Sequence, residues 1–323
     1  MADIVFIHGM WSHGNVAAPL KEFFEKAGHR FHAPDLPGHD RESGLSRMTQ
    51  SPLSIKRYVS SIEAFILNER FETPPVIIGH SMGGLVAQLV SARIETGPLI
   101  LLNSAASSGI NHLFPSTALT TLSVLLKPFF WRRNHRLNAR LGKYGIFNCV
   151  RPEKAGEIIN TLKPESGRCF FEVVFSMLDR SKTTQVDPES IKTPILVVSS
   201  MEDKIIPPRV ARAIYDHYPQ AEYHGFAGHG HWIFHESGSE RVYQALSDWL
   251  EALDISFVTN EEENGSIEEP LQTHHNRPQL YPTTKKVPTP KRSRLIPFPV
   301  SAGRFRRGTL TETSTDGGAV LPR

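Results

Sequence analysis

Cysteine is scarce in this chain, with only Cys149 and Cys169 among 323 residues. Two cysteines cannot build a disulfide framework and suit a reducing compartment. Long apolar runs are missing as well. None approaches the ~20 residues that a membrane-spanning helix needs, so no membrane span is expected. A charge excess is also lacking, since 36 Lys and Arg against 33 Asp and Glu leave a net charge of +3. That near balance gives the folded part no electrostatic case for binding nucleic acid. Too little sequence precedes the first apolar strand pattern, Ile4 to Ile7, for a cleaved secretory signal, and a cytoplasmic protein is expected. No internal repeat is visible, and nothing calls for a cofactor.

What the chain does have is Gly79-His80-Ser81-Met82-Gly83, set between the β-branched run Pro75 to Ile78 and a helical apolar pattern from Gly84 to Val90. A G-x-S-x-G pentapeptide in strand–turn–helix context is the sequence form of a nucleophile elbow. The sharp turn holds Ser81 in a strained backbone, small residues avoid clashes where strand meets helix, and the helix N-terminus offers free amides. A serine hydroxyl is a weak nucleophile, so this reading requires a base and an acid elsewhere. The base candidate is His231 in Gly228-His229-Gly230-His231-Trp232, with His229 as its rival. Convergence of His229, His231 and His235 on a metal is a weaker reading, and the expectation is no metal. The acid candidate is Asp203, where the apolar strand from Pro194 to Val198 runs into a polar turn, and Glu202 is its neighbour and competitor. The order Ser, Asp, His favours Asp203. The strand Ile4 to Ile7 ends in His8-Gly9-Met10-Trp11, so the backbone amides of Met10 and Met82 are the expected oxyanion donors, with Trp11 as the alternative to Met10.

Together HGMW at 8–11, APDLPGHD at 33–40, GHSMGG at 79–84, MEDKIIP at 201–207 and GHGHW at 228–232 resemble the alpha/beta-hydrolase superfamily, in its compact, cap-bearing esterase and lipase group. The resemblance spans about residues 3–253. It implies an α/β fold, a doubly wound and mostly parallel sheet with a Ser–His–acid triad at its carboxyl edge. It departs from many members in lacking the two antiparallel edge strands that precede the HGMW strand. Serine at the elbow, in place of aspartate, argues against haloalkane dehalogenase and epoxide hydrolase chemistry. The alternation of helical patterns and apolar strands agrees with such a sheet.

That alternation stops between Ser107 and Lys192. The expected organisation is therefore a core of 1–106 and 193–254, a helical cap insertion of 107–192, and a basic, Pro-rich, disordered tail of 255–323. The tail has ten Lys and Arg against seven Asp and Glu, a net of +3 that leaves the rest close to neutral. Its partner, if it has one, is unknown. In the cap and around the site, Trp11, Phe129, Phe130, Trp131, Phe171, Phe175 and Trp232 are candidate substrate-binding aromatics. The basic run Trp131 to Arg140 reads first as a solvated helix face and second as a membrane contact. The expected activity is a serine hydrolase acting on a carboxylic ester of a small apolar molecule, less readily on an amide, thioester or lactone. The alternatives are a slow-turnover receptor on the same fold, or a lyase or acyltransferase using the same triad.

Overall fold

The computed structural model describes residues 1–39 and 52–253, so the tail from 255 onward, with its expected disorder, lies outside the described residues. Six strands form one sheet: β1 (Asp3–Ile7), β2 (Arg30–His32), β3 (Val76–His80), β4 (Leu99–Leu102), β7 (Ile195–Ser200) and β8 (Ala221–Phe226). Their spatial order is β2-β1-β3-β4-β7-β8, and every neighbouring pair is parallel. No antiparallel strand joins this sheet among the described residues. The apolar runs explain why the strands pair this way. Ile4 to Ile7, Val76 to Ile78, Leu99 to Leu102 and Ile195 to Val198 are all buried, as a sheet covered on both faces requires.

Helices return the chain between strands. They are α1 (Ala18–Lys26), α2 (Ile55–Glu69), α3 (Met82–Ser91), α8 (Pro208–His217) and α9 (Ser239–Ala252). The chain goes from β1 outward to β2, then crosses to β3 on the other side of β1. The sheet's order therefore reverses between β1 and β3, and the carboxyl ends of those strands flank the crevice where parallel sheets bind ligands.

Residues 107–192 lie between β4 and β7. They carry α4 (Pro115–Leu125), α5 (Ala139–Gly145), α6 (Pro152–Thr161) and α7 (Gly167–Val174). They also hold a small antiparallel pair, β5 (Asn134–His135) with β6 (Glu165–Ser166), which helical patterning alone does not foresee. Polar ties join this segment to the core. Tyr58 Oη donates to Glu165 Oε1 at 2.8 Å, and the Trp11 indole donates to the His135 carbonyl at 2.9 Å. Ser54 caps α2, its hydroxyl accepting from the Lys56 amide at 3.3 Å, and Glu172 of α7 adds an acceptor for the Ile55 amide at 2.8 Å and for the Ser54 hydroxyl at 3.0 Å. Cys149 and Cys169 are both free thiols.

Candidate active site

Ser81 is the residue between β3 and α3, and its backbone sits at φ 56°, ψ −125°. Positive φ is costly for a residue with a side chain, and the strain is held by surrounding bonds. The Ser81 amide donates to the Leu102 carbonyl at 3.1 Å, while its carbonyl accepts from Gly84 and Ala105 at 2.9 Å each. Glycine is required on both sides of this turn. A Cβ on Gly83 would fall 2.5 Å from the His8 carbonyl oxygen, and one on Gly9 would fall 2.8 Å from Cβ of Ser81. The loop after β1 is thus packed directly on the serine, and Met10 of that loop and Met82 of the first turn of α3 line the same cavity.

His231 follows β8, and Asp203 follows β7. His231 Nδ1 donates to Asp203 Oδ2 at 2.7 Å, and both residues are buried. The other oxygen of Asp203 accepts from the amides of Ile205 and Ile206 at 2.9 and 2.8 Å, fixing the carboxylate plane. Glu202 faces elsewhere and accepts from the Gly228 amide at 2.9 Å. His229 also turns away, its Nδ1 lying 3.1 Å from Glu236, and His235 accepts from the Trp232 indole at 3.1 Å. The three histidines of this loop therefore have three different partners. Among the described residues no group of three or more His, Cys, Asp or Glu could hold a metal ion.

Ser81, His231, Met10 and Met82 line one cavity. Its wall is otherwise largely apolar, with Trp11, Ile146, Phe147, Leu162, Phe170, Val173 and Trp232 among the lining residues. No Asp, Glu, Lys or Arg contributes to it. Of the seven aromatics expected to bind substrate, Trp11 and Trp232 lie on the wall, whereas Phe129, Phe130, Trp131, Phe171 and Phe175 do not. Phe130 instead packs among Phe170, Phe171 and Phe175, at centroid distances of 5.7, 6.4 and 6.1 Å. The cavity face of α7 carries Phe170, Val173 and Val174, so Phe171 is one residue, or about 100°, out of phase. A register count along α7 would have found Phe170.

Sequence reading also missed the residues that hold the histidine loop. Asn103, at the end of β4 and buried, has φ 44°. Its amide group donates to the carbonyls of Gly230 and His231 at 3.2 Å each and to Ser200 Oγ at 3.0 Å, and its oxygen accepts from the Ser200 amide at 2.8 Å. It lies where β4 is flanked by the serine strand and the aspartate strand, so one side chain reaches both β7 and the histidine loop. His80 adds a second clasp, with Nε2 donating to the His231 carbonyl at 2.9 Å. Burial and the nearby His231 hold His80 down to about 3, so it stays a neutral donor. His112, also on the wall, is pulled down by burial to about 4, and its Nε2 accepts from the Ala106 amide at 2.9 Å. His8 is buried and held well below its usual range by desolvation and then by His39, with its Nε2 accepting from the Leu36 amide at 3.0 Å.

Comparison with known proteins places this arrangement among relatives. The family model Hydrolase_4, described as serine aminopeptidase, S33, matches residues 1–238. A pimeloyl-[acyl-carrier protein] methyl ester esterase from Xylella fastidiosa is 37% identical over 101 residues, 31% of this chain and 35% of that protein. The chain thus spans about a third of the length of the curated relatives it matches. Among solved structures, a pyrethroid hydrolase from Sphingobium faniae aligns with a TM-score of 0.60 at 19% identity, covering 78% of this chain and 98% of that one. A methylesterase from Arabidopsis aligns with a TM-score of 0.60 at 14% identity, covering 78% of this chain and 100% of that one. These two likenesses establish the alpha/beta-hydrolase fold. No described helix is long and apolar enough to cross a membrane.

Proposed function

The chain belongs to the Hydrolase_4 family of alpha/beta hydrolases, and on that premise we propose that it is a serine hydrolase cleaving a carboxylic ester of a small apolar molecule. His231 takes the proton of Ser81 as its oxygen attacks the ester carbonyl. Asp203 holds the imidazole in the tautomer that presents a free Nε2 and stabilises the imidazolium that forms. The Met10 and Met82 amides bind the oxyanion, the alcohol leaves with the proton from His231, and water then releases the acyl group from Ser81. Residues 107–192 form the cap, contributing Phe147, Leu162, Phe170 and Val173 to the substrate wall.

The observation that carries this reading is the 2.7 Å contact from His231 to Asp203 beside a serine at φ 56° in the same cavity. An ester fits the cavity better than an amino-terminal peptide, whose ammonium would need a carboxylate on a wall that has none. The ester preference is also that of the curated relative, which cleaves a methyl ester. Ser81→Ala is expected to lower kcat on p-nitrophenyl esters by about 10⁴-fold or more, with the far-ultraviolet dichroism unchanged. Full activity in that variant would remove Ser81 from the mechanism.

A further inference from the structure

Helix α4 buries mostly threonines, with Val124 its one buried aliphatic side chain, and turns leucines outward. Thr117, Thr120 and Thr121 are buried, and two of them line the cavity, while Leu119 and Leu122 are exposed. The inward hydroxyls are satisfied: Thr117 donates to the Ile205 carbonyl, Thr120 to Ser116 and Thr121 to Thr117, each at 2.8 Å. A helix on the surface of a lone soluble protein normally shows the opposite pattern. The exposed apolar surface continues past the helix, with Leu126 73% and Phe129 59% exposed. Trp131 packs on Phe171 at 6.0 Å, Phe171 stacks on Phe175 at 5.7 Å, and the next residues out are Met177 and Leu178, 80% and 67% exposed. Two segments distant in sequence thus form one apolar patch on the outer side of the elements that wall the cavity. Patches of this kind mark an interaction surface.

The charge along the first of these segments is of one sign. Residues 96–152 contain seven Lys and Arg and no Asp or Glu, in a chain whose net charge is only +3. Lys127, Arg132, Arg133, Arg136, Arg140 and Lys143 are all exposed. The Arg132 guanidinium lies 5.7 Å from the centroid of the Phe129 ring, so cations and apolar side chains are interleaved. Glu172 and Glu165 are buried in their own hydrogen bonds, and Asp179, beside Leu178, is the one acid at the edge of the second segment, accepting from the Ser181 and Thr183 amides and flanked by Arg180 and Lys182.

We propose that this face docks on an anionic lipid surface. Its leucines, Phe129 and Trp131 would enter the boundary between headgroups and acyl chains while the arginines and lysines meet lipid phosphates. A second copy of the chain fits less well, because a two-fold contact through this patch would bring the same cations face to face. The proposal is independent of the catalytic reading, since it concerns only where the protein sits.

The test is co-sedimentation of the full chain with vesicles of phosphatidylcholine alone or mixed with phosphatidylserine, at about 0.1 M salt. Binding is expected to be at least about tenfold stronger on the anionic vesicles and to fall as salt rises. The pair Leu126→Glu with Leu178→Glu should lower it about tenfold or more, and so should Arg132→Gln with Arg133→Gln. Hydrolysis of a soluble p-nitrophenyl ester should stay within about twofold of wild type in all of them, as should the unfolding midpoint within a few degrees. The basic sequence after residue 255 is unaltered in these variants, so undiminished vesicle binding by them would assign the contact elsewhere and overturn the proposal. Failure of the wild-type chain to bind would overturn it too. So would a wild-type dimer in light scattering that Leu126→Glu with Leu178→Glu makes monomeric, since the patch would then cover a second copy.

Discussion

The sheet and the segment between β4 and β7 treat polar groups in opposite ways. In the sheet, whole strands from Ile4 to Ile7 and from Ile195 to Val198 are apolar and buried, and polar side chains gather at the carboxyl ends. In residues 107–192, Thr117, Thr120, Thr121, Glu165 and Glu172 are buried while Leu119, Leu126, Met177 and Leu178 are exposed. The core is held by broad, non-directional apolar burial, which tolerates modest repacking. Residues 107–192 join the same apolar core through side chains such as Phe130, Phe147, Phe170 and Val173, and add directional bonds from Trp11 to His135, Tyr58 to Glu165, Ile55 to Glu172 and Lys163 to the Trp11 carbonyl. Under the proposed function, the core positions the reacting groups and residues 107–192 shape what reaches them.

That contrast is broken most severely at Asp203. Asp203→Asn keeps the shape but cannot hold the imidazole in the same tautomer, and kcat on a p-nitrophenyl ester should fall by about 10⁴-fold with the unfolding midpoint little changed. A loss below tenfold would mean that Asp203 does not serve His231. On the other side of the contrast stands Glu172, which accepts from Ile55, Ser54 and, at 2.8 Å, Arg168. Glu172→Ala leaves the Ser54 cap in place but strips the buried Ile55 amide and the Ser54 hydroxyl of their acceptor, so a cost of about 1–3 kcal/mol in urea unfolding is expected. The chemistry should be spared at temperatures where the variant is folded. If stability is unchanged, the polar ties do not hold the segment.

The two regions also differed in how far they could be read from sequence. The sheet was legible because four of its strands are short apolar buried runs, and Ser81, Asp203 and Met10 each follow one of them, whereas β2 (RFH) and β8 (AEYHGF), the strand before His231, are mixed edge strands. The overlying segment was not, because α4 buries threonines and exposes leucines, and because adjacent aromatics such as Phe170 and Phe171 point to different surroundings. Reading by residue type placed Phe171 and Phe175 at the substrate, whereas the cavity wall carries Phe170 and Phe147. Asn103 was invisible for a different reason. Nothing local distinguishes an asparagine after a strand, and its role exists only once β4 lies between β3 and β7. Asn103→Ala should release the Gly230 and His231 carbonyls and lower kcat by about 10- to 100-fold while KM stays within about twofold. An effect on KM alone would place Asn103 in the pocket wall and not behind the histidine.

Glu236 is the core's own buried acid, and it sharpens the comparison through pH. Its Oε2 accepts from the Gly230 amide at 2.9 Å and faces Nδ1 of His229 at 3.1 Å, so it fastens the two residues before His231. Burial raises its carboxyl from 4.5 to about 7, opposed by the Gly230 hydrogen bond and by His231 and assisted by the carboxylates of Asp203 and Glu202. Between these two values the unfolded chain has released this proton and the folded chain has not. Stability from this group is therefore complete below about 4.5 and declines as pH rises toward 7, levelling off above it. Glu236→Gln preserves an acceptor for Gly230 and cannot ionise, so it lacks that decline. Relative to wild type, the variant should gain up to about 2–3 kcal/mol as pH rises through this window, and its unfolding midpoint should overtake by several degrees. A midpoint difference that stays constant from about pH 4.5 to 8 would mean that Glu236 is already ionised in the folded protein, and that the histidine loop rests on a charge.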